Sequence, residues 1–266
     1  MTNICKIYIE INFMNLIEKI IDIVGNIEDL SIKQMDFVVL GYTDIMLTRE
    51  EWLQFITDSQ YSQLDNRENF DKLRKIHARP DVEKVPTWAC VQSLIFKNAI
   101  RFYFVDFQKY QGDELLLDLN HQVPNEFFER FHAVLDLGTS EHVFNYPQVL
   151  MNCHLMTKVG GVIYHDVPLN WPNHGFYSLS PTIFYDFYSD NHAQIIECSG
   201  YFMDRSTRTP KRLVIPKIPK WERFNVSALK GREVQLSIQA RKIGSVKGGS
   251  FVYPVQRKYR DASAWV

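Results

Sequence analysis

Cysteine, long apolar runs and an excess of either charge are all scarce in this chain, and each scarcity removes a class of protein. Cysteine occurs only as Cys5, Cys90, Cys153 and Cys198, far apart and with no C-x-x-C pair, which argues against a disulfide framework and a structural zinc site. A reducing compartment fits that usage best. A membrane-spanning helix needs roughly 20 consecutive apolar residues. The strongest N-terminal candidate, 11-INFMNLIEKIIDIVG-25, is broken by Asn12, Asn15, Glu18, Lys19 and Asp22, so it is neither a signal core nor a span. Charge of one sign is also missing: 30 basic against 31 acidic residues leave a formal net charge of -1. No global field therefore draws the chain onto nucleic acid or an anionic membrane. Internal repeats and low-complexity tracts are absent as well.

What remains is an ordinary globular balance, 45% hydrophobic and 23% charged over 266 residues, sufficient for one large domain with decorations. The N-terminal run reads as an amphipathic helix, because Phe13, Leu16, Ile17, Ile20 and Ile23/Val24 recur at helical spacing. After it, 36-DFVVLGYTD-44 suits a buried strand closed by a glycine turn. The charge-mixed segment from about 49 to 85 reads as helices and loops, and 88-WACVQSLIFKNA-99 has helical spacing before the strand-like 102-FYFVD-106. Beyond it come 114-ELLLDLN-120, 132-HAVLDLG-138, the helical 146-YPQVLMNCHLMTK-158 and the strand-like 161-GVIYHDVP-168. Ser180-Pro181 supplies an N-cap and a first-turn proline for a helix at 181-PTIFYDFYSDN-191. The strands 194-QIIECSGYF-202 and 233-EVQLSIQARKI-243 follow. Alternation of helix and strand predicts βα units on a parallel sheet, and two closing strands predict an antiparallel edge.

With an acid at the tip of its second strand, this order of elements resembles that of a class I S-adenosylmethionine-dependent methyltransferase. The residues that carry the resemblance are 134-VLDLGTSEHVFN-145, the helix after it, the K-x-G-G turn in 158-KVGGVIYHDVP-168, and 173-NHGFYSLSPTIFYDFY-188. The combination of Glu141-His142 with 173-NHGFYSLSPTIFYDFY-188 is similar to a subgroup associated with sugar and natural-product pathways. The resemblance implies a Rossmann-like methyltransferase fold: a mostly parallel seven-stranded sheet with an antiparallel C-terminal edge strand and helices on both faces. It spans most of the chain. The expected organisation is an N-terminal helical extension over 1–34, a methyltransferase domain over 35–243 with a helical insertion at about 49–99, and a C-terminal tail over 244–266. The chain departs from the family in one place. Instead of G-x-G-x-G, whose glycines admit the cofactor, it offers 38-VVLGYTD-44 with Gly41 alone, so Tyr42 and Thr43 must leave the room that glycines usually leave.

By the same resemblance, S-adenosylmethionine is the expected cofactor. Asp106 would accept the ribose hydroxyls, and Asp118 with Leu119 would meet the adenine, although Asp118 equally suits a turn that caps the following segment. Gly41, Tyr42 and Asp44 with Asp136, Gly138 and Glu141 would surround the amino-acid and sulfonium parts. Adjacent Glu141 and His142 pose a choice between a catalytic pair and a floor beneath the cofactor, since neighbouring side chains point different ways. For proton removal a histidine suits, because its unperturbed pKa is near ~6.5. His174 is the first candidate, then His165, then His142, and each is equally readable as a structural histidine. Trp171, Asn173 and Tyr177 would line the acceptor pocket.

No H-x-x-x-H or D-x-D spacing appears among Asp136, Glu141, His142, His165, Asp166 and His174, so no metal is expected. The basic segments 208–220 and 256–260 read as solvated loops around an edge strand. The expected activity is methyl transfer to an oxygen, less readily a nitrogen, of a small metabolite such as a sugar or natural-product intermediate. The partners expected are that acceptor, with no nucleic acid, no membrane and a homodimer left open, in the cytoplasm. The alternatives are an inactive methyltransferase-like binding or scaffold protein, for which the missing glycines argue, and an RNA methyltransferase.

Overall fold

The computed structural model describes residues 13–28, 33–41, 46–48, 84–86, 96, 99–109, 114–204, 209–215, 229, 231–246 and 250–260. Four helices are described: α1 (Phe13–Gly25), α2 (Tyr146–Met156), α3 (Pro181–Asp190) and the single turn α4 (Arg257–Arg260). The main sheet is made of β1 (Met35–Leu40), β4 (Ile100–Asp106), β5 (Leu115–Leu116), β6 (Phe131–Leu137), β7 (Thr157–Pro168), β8 (Ala193–Asp204), β9 (Thr209–Val214) and β10 (Gln235–Lys242). Two short strands, β2 (Met46–Thr48) and β3 (Lys84–Pro86), pair antiparallel apart from it.

The eight strands lie in the order β5-β4-β1-β6-β7-β10-β8-β9. β4, β1, β6 and β7 pair in parallel, whereas β10 is antiparallel to both β7 and β8, and β9 is antiparallel to β8. The Rossmann-like, mostly parallel fold with an antiparallel edge is therefore present, with two differences from expectation. Among the described residues the sheet has eight strands rather than seven. Its outer antiparallel edge is β9, while the last strand, β10, is inserted between β7 and β8. The extra strand, β9, lies within the basic segment that reads in the sequence as solvated loops around an edge strand. Its Lys211 and Arg212 are adjacent and both exposed, and Pro210 precedes them, features that suit an exposed edge.

Strand order reverses between β1 and β6, since the chain runs outward from β1 through β4 and β5 and then restarts at β6 on the other side. In open α/β sheets ligands bind at the carboxyl ends of the strands beside such a reversal. Every residue of the central strand β6 is buried, as a parallel strand covered on both faces requires. One face of the sheet is sealed by α2 and α3, whose Tyr146, Val149, Leu150, Phe184 and Tyr188 pack with Val134, Ile163 and Ile238. Against the other lies α1. There, Ile20 and Ile23 are buried, Lys19 pairs with Glu197 at 3.0 Å, and Asp22 accepts from Gln239 Nε2.

Local signals account for the ends of these elements. The Ser180 side chain accepts from Thr182 N at the start of α3, with Pro181 in the first turn. The C-terminal end of α2 is closed by a buried cation: Lys242 Nζ donates to the carbonyls of His154 and Thr157 at 3.0 and 2.8 Å and pairs with Glu129 at 3.0 Å. That places positive charge where the helix dipole is negative. The segment 121–130 holds only a 3₁₀ turn, Asn125–Phe127. Of the expected helical insertion at about 49–99, only 84–86, 96 and 99 are described, and 84–86 is a strand.

Candidate functional site

The carboxyl ends of β4, β1 and β6 bring together Asp106, Gly41 and the segment Asp136–Gly138. Tyr42 and Asp44 lie outside the described residues. Gly41 has φ +72°, and a Cβ placed on it would stand 2.4 Å from Thr139 Oγ1, so both backbone and space demand glycine there. The Thr139 hydroxyl donates to Leu40 O at 2.6 Å, joining the ends of β1 and β6 across the reversal point. The one glycine of this turn thus answers to Thr139 as well as to any ligand.

Asp106 is half-buried at its strand end, and its Oδ1 accepts from Gln108 N at 3.2 Å. Asp118 is exposed and organises a turn: Oδ1 accepts from the backbone and side chain of Asn120 at 2.9 and 2.8 Å, which hold its pKa below the ordinary value. Asn120 in turn accepts from Asn145 N at 2.9 Å and so ties this turn to the start of α2. Leu119 is buried in the hydrophobic core. It packs beneath the turn.

Two acid–imidazole groups follow on β6 and the loop after it, and they differ in kind. In the first, Asp136 and His165 are both fully buried, with His165 Nδ1 2.8 Å from Asp136 Oδ2 and His165 Nε2 2.6 Å from Tyr188 Oη. Burial raises the Tyr188 pKa well above its ordinary value. The phenol therefore keeps its proton, and the network is met when it donates to Nε2 and Nδ1–H donates to Asp136. Asp136 also accepts from Thr139 N, Ser140 N and the Ser140 hydroxyl. Both nitrogens of His165 are spent on this network, leaving none to offer a substrate.

In the second group the 3₁₀ turn Ser140–His142 points Glu141 inward and His142 outward. The Glu141 side chain is 1% exposed and that of His142 48%. The loop after β7 folds back over this turn. Phe176 N donates to Glu141 O at 2.8 Å and the Tyr177 hydroxyl donates to Phe144 O at 2.7 Å. A Cβ on Gly175 would stand 2.8 Å from Glu141 O, so only glycine lets the loop lie this close. Docking carries His174 over Glu141, with Nε2 3.4 Å from Oε1, while His142 Nε2 is 3.9 Å from the same oxygen. The two imidazole rings stand 5.1 Å apart, centre to centre. Glu141 Oε2 is buried and has no hydrogen-bond partner among the described residues. Gly138, with φ +83°, leaves its open side toward Glu141 Oε1, and burial foremost raises the pKa of nearby Asp166 to about 7, with the charge of Glu141 adding to the effect.

Trp171 stacks edge-on against His174 at 4.9 Å, and exposed Phe144 and Phe176 meet edge-on at 5.7 Å. Asn173 is exposed in the same loop with φ +63°. Tyr177 spends its hydroxyl on holding the loop. Phe176 is readable in the sequence as part of an aromatic wall beside Trp171 and Tyr177, whereas its partner Phe144, 32 positions earlier, carries only its aromatic character as a signal.

No protein-family model matches the sequence, and no curated protein matches it. Solved structures with a similar course of chain include the 16S rRNA (adenine(1408)-N(1))-methyltransferase from Catenulisporales acidiphilia. It is 12% identical, with 86% of this chain and 94% of that one covered and a TM-score of 0.40. Another is the 1,6-didemethyltoxoflavin-N1-methyltransferase of Burkholderia thailandensis with 1,6-didemethyltoxoflavin and S-adenosylhomocysteine bound, 10% identical, covering 84% and 77%, at a TM-score of 0.42. At these values the similarities carry no functional argument; the fold rests on strand order and register.

Proposed function

We propose that the protein is an S-adenosylmethionine-dependent methyltransferase acting on an oxygen, less readily a nitrogen, of a small metabolite such as a sugar or natural-product intermediate. The observation that carries this reading is the gathering of Gly41, Asp106 and Gly138 at one strand edge beside the reversal point, with solvent-facing imidazoles directly beyond. Asp106 would accept the ribose hydroxyls, the Asp118 turn would border the adenine, and Gly41 with Gly138 would leave room for the amino-acid part. When bound, the cofactor supplies an electrophilic methyl group for in-line displacement, so the protein is left to align the acceptor and take up its proton.

His174 is the proton acceptor in this reading. It is half-exposed, and Glu141 at 3.4 Å steadies the charge the ring would gain. His142 faces the same space and can take its place. His165 holds the floor from beneath. Trp171 and Asn173, with the Phe144–Phe176 pair, would form the acceptor wall, since aromatic faces suit a sugar ring or a flat polar ring.

Isothermal titration with S-adenosylmethionine and S-adenosylhomocysteine tests the reading, with binding in the micromolar range expected. Asp106→Ala should abolish most of it; an unchanged affinity would overturn the ribose assignment. Folded protein that binds neither compound would favour the inactive scaffold, and strongly salt-dependent RNA binding would favour an RNA acceptor.

A further inference from the structure

Glu141, His142 and His174 together raise a second possibility for this edge of the sheet. Their ligand atoms all lie within 4.8 Å of one another. Tetrahedral geometry with bonds of ~2.0 Å puts ligand atoms roughly 3.3 Å apart. The two distances to Glu141 Oε1, 3.4 and 3.9 Å, are already near that value, and the remaining closure falls to two exposed imidazoles that can turn about their side-chain bonds. We propose that these three residues form a binding site for a divalent cation of the zinc class.

Three features carry the assignment. The donor set, two imidazoles and one carboxylate, is the one that such cations prefer over magnesium or calcium, which take oxygen ligands. Glu141 is 1% exposed, with Oε2 lacking a hydrogen-bond partner among the described residues. A sealed carboxylate without a cation is costly, and a metal ion removes that cost. Finally, the site is built rather than incidental: Phe176 N and the bare Cα of Gly175 fix the 170s loop on Glu141, which is what delivers His174. The sequence hid the site because its ligands are split, two adjacent and the third 32 positions later.

Three protein ligands leave one coordination position, and the exposure of His142 and His174 turns it toward solvent. An open position of this kind acidifies a bound water or hydroxyl. If the methyl-transfer reading holds, the ion would lower the pKa of an acceptor hydroxyl bound at that position, its proton would leave to solvent water on the open side, and His174 would serve as a ligand in place of the free base. The binding claim itself does not need that reading.

The test is calorimetric titration of the full, metal-stripped chain with Zn²⁺, repeated with Co²⁺ to record the visible absorption of the bound ion. One ion per chain is expected, with a Co²⁺ spectrum of four- or five-coordinate form. Glu141→Gln, His142→Ala and His174→Ala should each weaken binding at least tenfold, while His121→Ala and His192→Ala at exposed sites elsewhere should leave it unchanged. Circular dichroism checks that every variant is folded. Failure of the folded wild-type chain to bind Zn²⁺ below 0.1 mM (a ceiling of about that order for a three-ligand site), or binding that survives all three substitutions, overturns the site. Because the titration needs no cofactor, a chain that binds S-adenosylmethionine but not Zn²⁺ loses only this proposal. One that binds Zn²⁺ but not S-adenosylmethionine loses only the methyl-transfer reading.

Discussion

Asp136–His165 and Glu141–His174 use the same two residue types, begin on the same strand-to-loop segment and end on the same strand-to-loop partner, yet they are opposites. Asp136 accepts from two backbone amides, a hydroxyl and an imidazole, and its histidine is closed at the far end by Tyr188. Glu141 has one carboxylate oxygen loosely faced by two half-exposed imidazoles and the other unpartnered among the described residues. Satisfied and sealed polar groups hold a fold together; sealed acids with an unmet oxygen, beside groups that reach solvent, await something else. The lesson is that an acid–histidine pair is read by its remaining hydrogen-bonding capacity, not by its presence.

Substitutions can break this contrast, beginning where the effect is largest. Asp136→Ala strips four donors of their acceptor in a sealed place and should lower unfolding free energy by about 3–5 kcal/mol in denaturant titration. Gly41→Ala attacks the same closed end from β1 through a φ of +72° and the contact with Thr139. It should cost about 2–3 kcal/mol, and adding Thr139→Ala should recover only the steric share. Tyr188→Phe removes the hydroxyl partner of His165 Nε2 and should cost about 1–2 kcal/mol, with S-adenosylhomocysteine affinity unchanged.

His154 sharpens the comparison from a third side, since it is a buried imidazole with no acid in line. Burial, and then the Lys242 charge, lower its pKa to about 3. The folded chain therefore binds fewer protons here than the unfolded one between ~6.5 and ~3, so this contribution to stability is complete above ~6.5 and is lost as pH falls through that window. Denaturant titrations at pH 7 and pH 5 should differ by about 1–2 kcal/mol more in the wild-type chain than in His154→Gln.

Much of the fold was legible because the signals were local. The β-branched runs of β1 and β6, the apolar alternation of β10, and Ser180-Pro181 each state an element within a few residues. Two features were not local. The bounds of β9 are blurred because an edge strand keeps charge on its open side and so reads much like the solvated loops around it, and the interior position of β10 is set by strand order rather than by its own residues. At the site, Asp106, Gly41 and Gly138 were legible as strand tips. The fate of the histidines was not: His165 is sealed by Tyr188, 23 positions away, and His174 is brought to Glu141 by a loop whose docking turns on Gly175.

The account stands most directly on replacing each carboxylate by its amide in turn and measuring unfolding free energy at pH 7. Asp136→Asn puts an amide among donors that need a carboxylate and should lose about 2 kcal/mol. Glu141→Gln removes an uncompensated buried charge and should leave the metal-free chain as stable as before or more so. Equal destabilisation by the two changes would contradict the distinction between a sealed structural pair and an open site.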